Sequence, residues 1–282
     1  MEPQVVKTRE ELRAALAKLP GRLGLVMTMG ALHDGHLSLV KETKKHADHV
    51  MVTVFVNPTQ FAPGEDFDKY PRDLDADLKA VAKVGADIVF APAAKEMYPG
   101  EAAVTINPGP TATVLEGKTR PTHFAGVLLV VHKMFNLTGA DVAVFGQKDA
   151  QQLALIRQMV RDLDMPIQIV GAPIVRGEDG LALSSRNAYL SDAEHQQALA
   201  LSGALKAGKQ ASNSGASASQ IKQAARCVLE NAGVKIGYVE LVDPTTFQSV
   251  EAGEAVLALA AYVGNTRLID NTILNIGEAS NG

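Results

Sequence analysis

The stretch that decides the predicted fold is Met27-Thr-Met-Gly-Ala-Leu-His-Asp-Gly-His-Leu-Ser-Leu-Val40. Residues 23–29 are an apolar run, which predicts a strand buried in a parallel sheet, and Gly30 ends it. His33 and His36 follow at the start of a helical pattern, on one face of its first turn. A helix start in this position binds anions, because its unpaired N–H groups and its dipole point at the ligand. Imidazole N–H groups donate to phosphate oxygens, so the stretch predicts a nucleotide site.

Composition limits the class of protein. A chain of 282 residues, 46% of them hydrophobic and 21% charged, is long enough for one large or two moderate domains with a buried core. A net charge of −4 argues against a general nucleic-acid or anionic-membrane binder. The single cysteine, Cys227, excludes an internal disulfide and a cysteine-based metal cluster and suits a reducing compartment. No long apolar run or signal pattern is present, so we expect a cytoplasmic protein.

Helical and strand patterns alternate along the chain, which predicts an α/β fold with a Rossmann-like doubly wound parallel sheet. Residues 1–175 form the predicted catalytic domain, and residues 176–282 a smaller C-terminal α+β domain, helical plus antiparallel sheet, that covers the site. The predicted strands are residues 23–29, 50–56, 88–91, 142–145, 166–170, 236–242, 255–263 and 267–274. The predicted helices are residues 8–19, 33–46, 73–84, 125–137, 149–163, 191–210 and 220–231. Residues 64–72 are interpreted as a flexible flap, and residues 93–123 as irregular apart from one strand at 104–106.

Polar side chains follow several predicted strands at their carboxyl ends, where open α/β sheets bind ligands. The amides Asn57 and Gln60 follow the second strand, and Lys148 follows the fourth. Each has an ordinary alternative, since amides cap turns and a lysine beside an aspartate is often a solvated pair. Lys148 and Arg186 are nevertheless both placed to reach one crevice, and triphosphate chemistry needs cations from more than one direction. The His-x-x-His pair lacks the further ligands that zinc requires, so we expect no protein-bound zinc.

The motifs occur in an order that resembles one family. Residues 28–36 are similar to the HxGH segment of class-I-synthetase-like nucleotidyl transferases. The later segments resemble the pantoate–β-alanine ligases, or pantothenate synthetases, and the whole match spans residues 27 to about 190. These segments are Phe55-Val-Asn57-Pro-Thr-Gln60-Phe61, Asp68-Lys-Tyr-Pro-Arg72, Arg120-Pro-Thr-His-Phe-Ala-Gly126, Phe145-Gly-Gln-Lys148-Asp149-Ala-Gln-Gln152 and Leu183-Ser-Ser-Arg186-Asn187.

This resemblance implies a two-step ligation through pantoyl adenylate, with ATP, pantoate and β-alanine as substrates, Mg²⁺ as cofactor and a homodimer as the assembly. It makes residues 1–175 the ATP- and pantoate-binding domain. The implied catalytic residues are His33, His36 (the proton donor), Lys148 and Arg186. The implied ATP contacts are Met29, Gly30, Ala31, Leu32, His33, Asp34, Gly35, His36, Gly146, Gln147, Lys148, Asp149, Val175, Leu183, Ser184, Ser185 and Arg186. Pantoate and β-alanine are expected at Met29, Asn57, Gln60 and Gln152, and Asp77 is a candidate Mg²⁺ ligand.

The sequence departs from the family pattern at Met27, where proline is common, at Leu183, where methionine is common, and at Asp34, a frequent glutamate. None of these changes removes an expected functional side chain. Two alternatives stay open at this point. A related nucleotidyl transferase would need more cations in its acceptor pocket, and a non-catalytic nucleotide sensor could do without His36 or Lys148.

Overall fold

The structure, a computed structural model, describes residues 2–100 and 103–277. Contacts divide the chain into two compact units: Met1–Gln147 with Leu155–Pro173, and Lys148–Ala154 with Ile174–Gly282. The sequence placed one boundary near residue 175, whereas the structure also groups residues 148–154 with the second unit. None of the helices within the described ranges is long and apolar enough to cross a membrane.

The first unit contains a parallel sheet of six strands in the order β1-β4-β3-β2-β5-β6. Its strands are β1 Gln4–Val6, β2 Leu23–Thr28, β3 His49–Val54, β4 Ile88–Phe90, β5 Val142–Gly146 and β6 Gln168–Ala172. Its helices are α1 Arg9–Leu16, α2 Asp34–Thr43, α3 Leu74–Val84, α4 Ala94–Met97, α5 Leu115–Thr119 and α6 His123–Thr138. Helix α7, Ala150–Asp162, begins in the second unit and continues in the first. The predicted doubly wound α/β fold is confirmed.

Strand β2 lies between β3 and β5, so the sheet reverses its order of connection beside β2. Open α/β sheets bind ligands outside the carboxyl ends of the strands at such a reversal. The loop that follows β2 is the loop of the opening stretch, and Gly146 ends β5 beside it. Topology therefore places the predicted anion-binding loop at the position where this class of sheet binds nucleotides.

Apolar strand runs and amphipathic helices form the core of the first unit. The buried residues of β2, β3, β4 and β5 pack against α2 and α3; this cluster comprises Val26, Leu39, Val40, Val50, Val52, Val81, Ala86, Val89, Val144 and Ala172. Side-chain caps begin these helices: Thr8 and Glu11 form a capping box at α1, and Asp73 caps α3.

Three predictions of secondary structure in this unit were wrong. Residues 104–106 form no strand, and Val104 is 81% exposed, because no strand within residues 2–100 and 103–277 pairs with this short alternating segment. Strand β1 was missed, since it is an edge strand of only three residues, paired with β4, and so short a segment carries no periodic pattern. The region 93–123 also contains α4, α5 and a 3-10 turn at Pro110–Thr113, where the sequence predicted irregular chain.

The second unit contains an antiparallel sheet of three strands in the order β7-β8-β9 and two helices. They are α8 Asp192–Asn213, α9 Ala218–Asn231, β7 Lys235–Val242, β8 Gly253–Val263 and β9 Thr266–Ile276. Capping boxes at Ser191–Glu194 and Ser217–Gln220 begin the two helices. The apolar faces of the helices and of the sheet share one buried cluster, which includes Leu201, Ile221, Leu229, Leu257 and Leu274.

Candidate active site

The two histidines of the opening stretch lie side by side at the start of α2. His33 is the N-cap residue in extended conformation, and its Nδ1 accepts a hydrogen bond of 3.1 Å from Gly35 N. His36 Nδ1 accepts a bond of 3.3 Å from His33 N, and the two ring centroids are 4.0 Å apart. Because Nδ1 of each ring accepts from the backbone, the neutral imidazoles carry their protons on Nε2. Both side chains are therefore oriented as Nε2–H donors.

A buried carboxylate supports the loop that leads to these histidines. Asp77 is 2% exposed, and its Oδ1 accepts a hydrogen bond of 2.7 Å from Leu32 N. Gly30 has φ +74°, and a Cβ there would lie 2.5 Å from Asp77 Oδ2. Burial raises the pKa of Asp77, and the hydrogen bond from Leu32 opposes that rise. Only glycine suits this position, because the backbone conformation and the carboxylate both exclude a side chain.

The amide pair beyond β3 forms a connected hydrogen-bond network. Asn57 is 1% exposed; its Oδ1 accepts from Tyr98 Oη at 2.8 Å and from Thr59 Oγ1 at 3.0 Å. Its Nδ2 donates to Gln60 Oε1 at 3.0 Å and to Gly126 O at 3.2 Å. Asn57 is buried and donates a hydrogen bond to the side chain of Gln60, so its observed contacts orient Gln60. Direct contact of Asn57 with a substrate stays a prediction.

The other end of the Gln60 side chain meets Met29 of the opening loop. Gln60 Nε2 donates to Met29 Sδ at 3.2 Å, a weak bond, since thioether sulfur is a poor acceptor. A stronger acceptor, such as a carboxylate or hydroxyl of a ligand, would replace it at little cost. Two residues that the sequence assigned to the same substrate site, Met29 and Gln60, are therefore in contact.

The backbone of Gln60 is held by residues that sequence reasoning did not assign to the site. Its carbonyl accepts from His123 Nδ1 at 2.9 Å and from Arg120 Nη2 at 3.3 Å. Arg120 also makes two hydrogen bonds of 2.7 Å with Glu65, one from Nε and one from Nη2. These bonds lower the pKa of Glu65, with burial opposing them. Arg120 and His123 lie in the segment 120–126, which resembles the family motif, so the sequence could have assigned them to the site. No sequence feature indicated a role for Glu65.

The segment predicted as a flap is packed around aromatic rings. Phe61 makes edge-on contacts with Phe67 and Tyr70, with ring centroids 5.4 and 5.9 Å apart. The Arg72 guanidinium lies 5.2 Å from the centroid of Phe67. Tyr70 is 7% exposed. Movement of this segment stays a prediction.

Of the remaining predicted site residues, Gly146 and Gln147 belong to the first unit and the others to the second. Lys148 lies in the 3-10 turn Gln147–Asp149, and its Nζ is 3.9 Å from Asp149 Oδ1. Residues 175–183 form a small hairpin in which Leu183 N donates to Val175 O at 3.0 Å. The hairpin leads into the 3-10 turn Ser185–Tyr189, capped by the Ser184 hydroxyl, which accepts from Arg186 N at 3.3 Å. Gln152 lies in the first turn of α7, half-buried.

Comparison with known proteins identifies the family. The family model described as pantoate-beta-alanine ligase matches residues 4–273. The chain belongs to the pantoate–β-alanine ligase family. It is 54% identical to the pantothenate synthetase of Thermobifida fusca, over 97% of this chain and 96% of that one. It is 50% identical to the pantothenate synthetase of Salinispora arenicola, over 98% of this chain and 99% of that one.

Solved structures of this family show the same fold. The pantothenate synthetase of Thermus thermophilus superposes with a TM-score of 0.92 at 42% identity, covering 97% of this chain and 99% of that chain. The pantoate–β-alanine ligase of Francisella tularensis, described as complexed with beta-gamma ATP and β-alanine, gives a TM-score of 0.82 at 34% identity, with 96% and 97% covered. The resemblance that the motifs indicated is confirmed.

Within this pantoate–β-alanine ligase the predicted site residues fall into two groups. The first unit brings together Met29, His33 and His36 of one loop, and Met29 contacts Gln60. The second unit holds Lys148, Gln152, Val175 and the Leu183–Arg186 segment. Across residues 2–100 and 103–277, no three His, Cys, Asp or Glu side chains are grouped so that they could hold a metal ion.

Proposed function

We propose that this chain catalyses the ATP-dependent ligation of pantoate and β-alanine to pantothenate, releasing AMP and pyrophosphate. Membership of the pantoate–β-alanine ligase family supports the overall reaction. The Francisella tularensis relative, described as a complex with beta-gamma ATP and β-alanine, supports two of the substrates. The observation in this structure that carries the proposal is the pair of histidines whose Nε2–H groups are set as donors at the start of a helix.

The first step joins pantoate to the nucleotide. A pantoate carboxylate oxygen attacks the α-phosphorus of ATP, the bond to the bridging oxygen breaks, and pyrophosphate leaves. Such a transfer needs positioning and charge stabilisation more than a covalent enzyme intermediate. His36 and His33 each donate a hydrogen bond from Nε2–H to the phosphates, and the bond from His36 stabilises the charge that develops on the leaving pyrophosphate. Lys148 and Arg186 supply the positive charge that stabilises the transition state.

The second step forms the amide bond. The β-alanine amine attacks the acyl carbon of pantoyl adenylate, loses a proton, and AMP leaves. Gln60 and Gln152 hold pantoate, because amides can donate to its carboxylate and accept from its hydroxyls. Gln60 lies near β-alanine as well, and Met29 lines the same pocket. The bonds from Asn57 and Met29 support the assignment of Gln60, since they orient its amide before substrate arrives.

ATP binding is assigned to the two loops that the resemblance implied. In the first unit these are residues 29–36 with Gly146 and Gln147; in the second they are Lys148, Asp149, Val175 and Leu183–Arg186. The position of the first loop beside the reversal of the sheet supports this assignment. At the start of α2 the N–H groups of His33 and Gly35 donate to the two imidazoles, so the helix dipole and the Nε2–H donors support phosphate binding there.

Magnesium enters this proposal as part of the substrate, bound to the phosphates of ATP. The residues in the first unit do not fit a site built by protein alone, because Asp77 is one carboxylate and its Oδ1 is already engaged by Leu32. Its Oδ2 is buried, has no hydrogen-bond partner among the residues that the structure describes, and faces Gly30. Mg²⁺ is commonly bound by one or two carboxylates plus phosphates, so Asp77 as a single ligand stays a prediction.

A coupled assay distinguishes this function from the alternatives. ATP, pantoate and β-alanine are supplied together and singly omitted, while pyrophosphate, AMP and pantothenate are followed. We expect pyrophosphate release to require pantoate, and AMP and pantothenate to appear in equal amounts. Pyrophosphate release that is independent of pantoate would rule out the ligase. Release that depends on a phosphate-bearing acceptor would indicate a related nucleotidyl transferase, and ATP binding without turnover would indicate a sensor.

We further propose a cytoplasmic homodimer. The family resemblance and the single cysteine support this proposal, as does the 81% exposure of the apolar residue Val104. Sedimentation velocity over a range of protein concentrations tests the assembly. A single species with the mass of one chain at all concentrations would contradict it.

A further inference from the structure

Strand β9 carries two adjacent polar residues that the proposed chemistry does not use. Asp270 and Asn271 lie in the middle of the strand, opposite Leu259 and Ala258 of β8, and they are 3% and 7% exposed. Polar groups buried at this level are costly unless they are hydrogen-bonded. The hydrogen-bond partners of Asp270 and Asn271 therefore indicate the role of these two residues.

Asp270 holds the hairpin at residues 175–183. Its two oxygens accept hydrogen bonds of 2.6 and 2.9 Å from Nη1 and Nη2 of Arg176, a bidentate pair in which the Asp270 side chain is 1% exposed. Arg176 Nη1 also donates to Gly180 O at 3.2 Å, across the turn of the hairpin. The hairpin ends at Val175 and Leu183, which are both proposed ATP contacts. The ion pair thus fixes the hairpin that presents them.

Asn271 holds the turn that carries the proposed catalytic lysine. Its Nδ2 donates a hydrogen bond of 2.9 Å to Lys148 O, 123 residues earlier in the chain. Because this bond is made to the backbone carbonyl of Lys148, it fixes the position of the main chain from which the flexible lysine side chain extends. Asp270 Oδ1 also accepts from Asn271 N at 2.8 Å, which links the two residues.

We infer that Asp270 and Asn271 are positioning residues, which fix the Lys148 turn and the 175–183 hairpin to one strand and so set the spacing of two ATP-binding elements. This inference rests on the proposed function, because it takes the ATP contacts from it. Two loops held by separate parts of the fold could shift independently. Because two neighbouring residues of one strand hold both loops, the distance between the loops stays constant.

The test compares four variants in the full chain. Asn271→Ala removes the donor to Lys148 O, Asp270→Asn weakens the pair with Arg176, and Arg176→Lys keeps the charge but loses the fork. Asn275→Ala is the matched control, because Asn275 lies on the same strand with an exposed side chain. The readouts are kcat and KM for each substrate, and the affinity for a non-hydrolysable ATP analogue by calorimetry.

We expect kcat/KM for ATP to fall about 10- to 100-fold in Asn271→Ala, because a displacement of catalytic groups by about 1 Å has that effect. The KM values for pantoate and β-alanine should stay within about twofold, as expected when only the ATP contacts are disturbed. Asp270→Asn and Arg176→Lys should raise the KM for ATP more than they lower kcat. Asn275→Ala should behave as the unsubstituted chain.

Two results would overturn the inference. One is an unchanged kcat/KM for ATP in folded Asn271→Ala and Asp270→Asn. The other is a loss shared equally by all three substrates that follows the loss of folded protein, which would show a structural role only. If either variant does not fold, Asn271→Ser and Arg176→Lys provide the same comparison with smaller changes. If the unsubstituted chain releases pyrophosphate without pantoate, the proposed ligation fails, and calorimetry of Asn271→Ala against Asn275→Ala still decides the positioning role.

Discussion

Replacing Arg120 with lysine tests whether the contacts around Gln60 prepare it for pantoate. Arg120 donates two hydrogen bonds of 2.7 Å to Glu65 and one of 3.3 Å to Gln60 O. Lysine keeps the positive charge but replaces a planar fork by a single nitrogen, so it cannot reproduce all three bonds. We expect the backbone of Gln60 to lose part of its support while the fold is kept.

The structure gives the size of this effect. The side chains of Arg120 and Glu65 are 18% and 23% exposed, so their pair lies between a surface ion pair and a fully buried one. A hydrogen bond to a charged group contributes about 1.5–3 kcal/mol, and partial exposure reduces the loss to about 1–2 kcal/mol. If that loss falls on the positioning of Gln60, kcat/KM for pantoate decreases about 5- to 30-fold.

The assay measures pyrophosphate release against pantoate concentration, with ATP and β-alanine in excess. Arg161→Lys is the matched control, because Arg161 makes a 2.9 Å bond to Asp162 with the two side chains 63% and 62% exposed. We expect this control to leave all constants unchanged. An unchanged kcat/KM for pantoate in Arg120→Lys would refute the positioning of Gln60 by Arg120, and so would an equal fall for ATP.

Three further outcomes follow from the first unit. His36→Ala should slow pantoate-dependent pyrophosphate release by on the order of 10²-fold with little change in thermal unfolding; an unchanged rate would remove its role as Nε2–H donor to the leaving pyrophosphate. Gly30→Ala should destabilise the chain in urea by about 1–3 kcal/mol more than Gly64→Ala, because both glycines have positive φ but only Gly30 faces a carboxylate. Burial raises the pKa of Asp77, so the folded state holds that proton more tightly than the unfolded chain, and this group's contribution to stability falls as pH rises through the raised value. Asp77→Asn removes the titration, so its unfolding free energy relative to the unsubstituted chain should rise as the pH increases from the ordinary carboxyl pKa through the raised one; a constant difference would contradict the burial argument.

Much of the fold was accessible from the sequence because its signals are local. Capping residues at Thr8, Asp73 and Ser191 mark helix starts within a few residues, and the apolar runs at 23–29 and 50–56 mark central strands. Errors fell where local signal was weak. The three residues of β1 gain their strand conformation only by pairing with β4, and residues 104–106 have strand-like alternation but no partner.

The candidate site divides in the same way. The opening loop and the amides Asn57 and Gln60 could be predicted because glycine, imidazole and amide side chains at strand ends have chemical reasons to be there. The supporting contacts were not found, because their partners are distant in the chain. Asp77 and Leu32 are 45 residues apart, and Glu65 and Arg120 are 55 residues apart.

The sequence by itself determined the class of fold, the loop at residues 28–36 and the family, since these follow from short-range patterns and ordered motifs. Only the tertiary structure decided that both histidines present Nε2–H, that Asp77 lies beneath Gly30, and that Asp270 and Asn271 of the last strand hold the Lys148 turn and the Val175 hairpin. The physical reason is that hydrogen bonds between groups 94 and 123 residues apart depend on how the chain folds back, and no local preference encodes that.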